Sequence, residues 1–124
     1  MKPPVGIEWC AGGFVFNVEP VDVDFYSSDI DELLLSLDKA SLRKVRGLLV
    51  ALNRFGNQLG LPQSKALGDG LFELRTLGKI NIRLLYTFHN GKAVILHGLI
   101  KKTDRLGYAD IIIAKGRKFH LDKI

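Results

Sequence analysis

Between Ile80 and Phe88 every second residue is bulky and apolar: Ile80, Ile82, Leu84, Tyr86 and Phe88 alternate with Asn81, Arg83, Leu85 and Thr87. Side chains on a strand point to opposite faces with a period of two, so the first five line a core face and the other four share the reverse. The segment is bounded by His89-Asn90-Gly91-Lys92, whose Asn-Gly pair accepts the positive φ of a type I′ turn. A two-residue turn there pairs Ile80–Phe88 with a strand over Ala93–Lys101, sets Gly98 opposite Arg83 and puts Lys102 further along the same face. His97 then falls on the apolar face and reads as a satisfied core histidine. On the other side, a strand over Leu71–Leu77 brings Phe72 and Leu74 opposite Tyr86 and Leu84, leaving Gly78-Lys79-Ile80 as a three-residue loop.

That register places Arg75 directly opposite Arg83. Like charges facing each other across a ladder repel, at a cost of a few tenths of a kcal/mol or more, so something must offset them. Two readings do so. An anion held between the arginines, with Lys102 converging beside the open space at Gly98, makes a phosphate cradle. Alternatively, Glu73 neutralises an arginine diagonally and the lysines serve only to keep a strand end soluble.

The remaining segments supply helices around this sheet. FVFNVEP, ending at Pro20, reads as a first strand. In SSDIDELLLSL, Ser28 or Asp29 caps a short helix with Asp31 and Glu32 in its first turn. Ser41 is expected to cap the next, in which Leu42, Val45, Leu48, Leu49, Leu52 and Phe55 form an apolar stripe with Arg43, Arg46 and Arg54 off it, on a solvated face. Leu59–Gly70, with its Pro and Gly residues, reads as a loop. YADIIIAKGRKF reads as a terminal helix with Tyr108, Ile111, Ile112 and Phe119 on one face. The expected fold is α+β: an antiparallel sheet of about four strands, a helical hairpin on one face and a C-terminal helix, with residues 1–124 forming one domain.

Charge is unevenly divided. Residues 1–70 carry 7 basic and 9 acidic side chains and residues 71–124 carry 11 and 4, or −2 against +7 within a total of +5. The basic half favours a polyanionic partner. No apolar run approaches the roughly 20 residues of a membrane span, no leader-like apolar stretch opens the chain, and Cys10 is the single cysteine, so a cytoplasmic protein without disulfides is expected. Cys10 has no base assignable from spacing and is given no role.

The ELR of residues 73–75, the IRLLY strand and the run ILHGLIKKT, in that order over Lys65–Thr103, resemble the RelE/HigB superfamily of bacterial type II toxins, and more narrowly its phage-derived HigB-like branch. The resemblance implies a RelE-like fold and an mRNA interferase, an endoribonuclease acting in the ribosomal A site and held inactive by an antitoxin, here a helix-turn-helix HigA-like partner. It implies cleavage without metal or other cofactor, the RNA 2′-hydroxyl attacking the adjacent phosphorus to leave a 2′,3′-cyclic phosphate and a free 5′-hydroxyl. By the same resemblance Arg75 and Arg83 meet the scissile phosphate, Lys102 stabilises charge or acts as acid, and Tyr108 acts as base or stacks on a base. Lys79, Lys101 and Arg105 are expected to bind the flanking RNA. The general base stays open, because His89, His97 and His120 match no histidine position of the family. A lysine serves only where neighbouring cations depress its pKa. The competing expectation is a toxin-like module that binds nucleic acid or protein without cleaving.

Overall fold

The computed structural model describes residues 7–9, 15–17, 20–76, 81–101 and 107–123. The chain orders its elements as β1 (Ile7–Trp9), β2 (Val15–Asn17), β3 (Asp22–Phe25), α1 (Ser28–Leu35), α2 (Lys39–Phe55), β4 (Ser64–Gly68), β5 (Leu71–Arg75), β6 (Asn81–His89), β7 (Lys92–Lys101) and α3 (Tyr108–Asp122). Five strands form one mixed sheet in the order β3-β7-β6-β5-β4, in which only the β3–β7 pair is parallel. Strands β1 and β2 form a separate antiparallel pair. The expected α+β class holds. The strand read at FVFNVEP is β2 of that small pair, and the edge of the main sheet is β3, which follows Pro20.

Helices α1 and α2 cover one face. Ile82, Leu84 and Tyr86 of β6, Leu74 of β5 and Ile95 of β7 pack there against Ile30, Leu34, Val45 and Leu52. The stripe of α2 behaves as its spacing demands: Val45 and Leu52 are fully buried, Leu42, Leu48 and Leu49 pack beside them, and Arg43, Arg46 and Arg54 are exposed. The expected cap is displaced. Asp38, not Ser41, is the N-cap of α2; its carboxylate accepts from the Ser41 amide at 3.3 Å, and Ser41 lies inside the helix, buried. The hydrogen bonds from Ser41 hold the Asp38 carboxyl below its ordinary pKa. At α1 the N-cap is Ser27, one residue ahead of the expected Ser28, and its hydroxyl donates to the Asp29 carboxylate rather than to the backbone.

Helix α3 packs on the opposite face, where Leu71, Leu85, Val94, Leu96 and Ala114 form a second core cluster. The face expected for this helix is turned: Tyr108, Ile112 and Phe119 are exposed, and the inward side runs through Ile111, Ala114 and Leu121. The stretch read as a loop contains β4, an edge strand antiparallel to β5. Its Ser64 hydroxyl meets the Tyr86 hydroxyl at 2.6 Å, giving a polar partner to a phenol whose pKa burial pushes up.

Asn90 and Gly91 adopt φ of 51° and 76°, as the two-residue hairpin turn requires, and pairing from His89↔Lys92 to Tyr86↔Ile95 follows the expected register. The register then shifts. Leu96 is an extra residue in β7, a bulge, and from there Leu85 faces His97, Leu84 faces Gly98 and Arg83 faces Leu99. Arg117 of α3 donates to the Leu96 carbonyl at 2.7 Å and to Asp29 at 3.1 Å, and its guanidinium lies 5.2 Å from the centre of the Tyr26 ring. The bulge is thus held by a side chain 21 residues further along the chain.

Candidate functional site

Pairing of β5 with β6 runs from Phe72↔Tyr86 to Arg75↔Arg83, the expected register. Arg75 and Arg83 therefore project from the face that carries α3, toward the end at which that helix begins. Glu73 lies on the same face, and its Oε1 is 3.5 Å from Arg75 Nε and 3.7 Å from Arg83 Nε. The repulsion between the arginines is offset by a carboxylate from the same strand, so the trio carries one net positive charge. The three are unequally accessible: side-chain exposure is 31% for Arg75, 8% for Arg83 and 7% for Glu73. Arg83 also donates to the carbonyls of Thr76 and Ile82 at 3.4 and 3.2 Å. Arg75 is the cation presented to solvent, and Arg83 is a buried charge beneath it.

The bulge at Leu96 changes what stands beside them. Gly98 faces Leu84, not Arg83, and a Cβ there would lie 2.7 Å from Leu33 and 3.0 Å from Leu84. Its missing side chain makes room for helix α1, not for a ligand. The same shift puts His97, Leu99 and Lys101 on the arginine face. Lys101 pairs with Asn81 and is 8% exposed. Lys102, expected on that face, lies outside the described residues, as do Lys79, Arg105 and the loop residues 78–80.

His97 is not on the apolar face expected for it. Opposite Leu85, it sits diagonally from Arg83, a separation of about 7 Å between same-face neighbours. Its Nε2 is 2.8 Å from Asp110 Oδ1, while its buried Nδ1 has no hydrogen-bond partner among the described residues. Asp110 lies in the first turn of α3, so the pair clasps the helix start to β7 beside the arginines. Two residues earlier, Tyr108 begins α3 and is 79% exposed. The fold thus gathers Arg75, Arg83 and Lys101 on one face and brings the helix bearing Tyr108 to its border.

The His97–Asp110 pair was the feature least legible in advance. Glu73 was visible as a diagonal partner of the arginines. The histidine was misplaced because its face depends on a bulge that no local residue announces.

Among the described residues no cluster of three or more His, Cys, Asp or Glu side chains could hold a metal ion, and no helix is long and apolar enough to cross a membrane. Residues 32–118 match the family model described as Phage derived protein Gp49-like (DUF891), a span that includes Glu73, Arg75, Arg83, His97 and Asp110. No curated protein matches the chain.

Proposed function

The chain belongs to the Gp49-like family of phage-derived proteins, a toxin-like family of the RelE/HigB type, and on that premise we propose that it is the toxin of a type II toxin–antitoxin pair, acting as an mRNA interferase. The observation that carries this reading is the pairing of Arg75 with Arg83 on the α3 face of the sheet, Arg75 partly exposed and Arg83 buried beneath it. In-line attack of a 2′-hydroxyl on the neighbouring phosphorus builds negative charge on the non-bridging oxygens. Fixed guanidinium groups stabilise that charge most where the surroundings are already partly dry. Arg75, the exposed member, makes the first contact with the phosphate. Arg83 adds charge from below and competes with Arg75 for Glu73, so an incoming phosphate replaces the carboxylate as the partner of Arg75. Tyr108, at the helix start beside the His97–Asp110 clasp, is the group assigned to accept the 2′-hydroxyl proton or to stack on a base. Lys102 is assigned to the leaving 5′ oxygen. A HigA-like antitoxin and the ribosomal A site are the partners this reading entails.

A second reading has an observation of its own. Glu73 already stands at ion-pair distance from both arginines and offsets part of their charge, which suits a toxin-like module that binds without cleaving. Induced expression separates the two. Wild type and Arg75→Ala are compared for growth arrest, with cellular mRNA mapped for new 5′-hydroxyl ends; Arg75 is chosen because Arg83 is buried and its removal threatens the fold. Arrest and cleavage lost together, in a variant whose melting temperature is unchanged, is the expected result. Arrest without new ends replaces the interferase with the binding module.

A further inference from the structure

A groove of about 320 Å³ runs between α2 and the end of β5, and Lys44, Gly47, Leu48, Ala51, Gln63, Arg75 and Thr76 border it. Arg75 belongs both to this groove and to the cationic face, so the two meet around the end of the strand. The Arg75 amide donates to the Gln63 carbonyl at 2.8 Å, which fixes the wall they share. The cleft between α1 and α2 contains Asp31 and the one beside β3 contains Asp24, whereas among the described residues this groove is lined by two cations and no carboxylate.

Gly47 is the informative residue. It stands in the interior of a 17-residue helix, where glycine is the poorest choice after proline. Nothing lies within 4 Å of the position a Cβ would take, so packing does not require it. What its missing side chain does is keep the floor of the groove open. With Ala51 one turn further on and Leu48 beside it, α2 presents a shallow apolar floor between Lys44 at one side and Arg75 at the other.

We propose that this groove is a subsite for single-stranded RNA: the nucleotide next to the scissile phosphate leaves the cationic face at Arg75, lays its base against Gly47 and Ala51, and places its next phosphate at Lys44. The inference rests on the RNA-cleaving reading of the Arg75–Arg83 face. The volume is at the lower end of the range for small-molecule sites, which fits one nucleotide rather than a duplex. The exposed Gln63 amide supplies hydrogen-bonding groups at the base edge, and Lys44 and Arg75 supply the charge that tracks a backbone.

The test measures binding of a fluorescein-labelled, unstructured RNA carrying 2′-O-methyl groups, which removes the nucleophile, to the full chain over a series of salt concentrations. Gly47→Leu fills the groove, and Gly116→Leu is its control, a helix glycine in α3 with equally open space around it. Lys44→Gln removes one proposed phosphate contact. Melting temperatures confirm that each variant folds. Expected are a several-fold loss of affinity for Gly47→Leu, none for Gly116→Leu, and for Lys44→Gln a fall of about 0.7 in the slope of log affinity against log salt. Wild-type binding that neither Gly47→Leu nor Lys44→Gln changes overturns the subsite and leaves the interferase reading standing. Failure of the wild type to bind RNA at all, with no cleavage in cells, overturns both. Unchanged RNA binding together with lost neutralisation by the antitoxin overturns the subsite in favour of a protein-docking groove.

Discussion

Glu73 holds Arg75 and Arg83 through a single carboxylate oxygen, and this makes the site sensitive to one atom. Glu73→Gln keeps the shape and removes the charge, leaving two guanidinium groups opposed across a ladder. Breaking a fully buried pair costs about 3–5 kcal/mol; Arg75 keeps 31% of its side chain in water, so a loss nearer about 2 kcal/mol is expected, read from urea unfolding. Inorganic phosphate should restore part of it, because an anion bound only by the folded state stabilises by mass action. The melting temperature of Glu73→Gln is therefore expected to rise more steeply with phosphate than that of the wild type. Equal responses would mean that the arginines do not form an anion site.

At the scale of elements, Arg117 determines how β7 is read. It donates to the carbonyl of the bulged Leu96 and to Asp29, tying α3 to β7 and to α1 together. Arg117→Met retains the apolar stem and removes the donors. The expected loss is about 2 kcal/mol, since hydrogen bonds from a charged group are worth about 1.5–3 kcal/mol, and slower rearrangement should be visible as broadened amide resonances over Leu96–Lys101. Sharp, unshifted resonances there would show that the bulge holds without it. The same residue explains what could be read from the chain and what could not. The Arg75↔Arg83 register was legible because alternation and the Asn-Gly turn are local signals. The positions of Gly98, His97 and Lys101 were not, because the extra residue is stabilised from α3. Strand β4 was hidden for a similar reason: its Pro- and Gly-flanked composition argues for a loop, and pairing to β5 with the Ser64–Tyr86 contact overrides it. The parallel β3–β7 pair likewise depends on a long connection, through α1, α2 and the three strands β4, β5 and β6.

Taken as a whole molecule, the sheet carries α1 and α2 on one side and α3 on the other, and the basic part of the chain places its arginines on the α3 side. β6 lies at the centre of the five strands and is buried for most of its length, while β4 is an edge. Amide exchange is expected to be slowest in β6 and its neighbours β5 and β7, and faster by orders of magnitude in β4, whose outer backbone groups face water. Equal protection in β4 and β6 would mean that the sheet opens only by global unfolding. One consequence of the bulge concerns insertion and deletion rather than substitution. Because Leu96 separates two stretches of β7 that are out of phase, it acts as a frame boundary within a single strand. Excising that one residue would leave every rung in place, His97 still facing Leu85 and Lys101 still facing Asn81, and would remove only the bend and the carbonyl that Arg117 holds; keeping the residue while flattening the bulge would instead slide the distal half by one, with Gly98 facing Arg83 and Ile100 facing Asn81. Which side chains stand beside Arg83 is therefore set by a residue that adds length to the strand without adding a rung to the ladder.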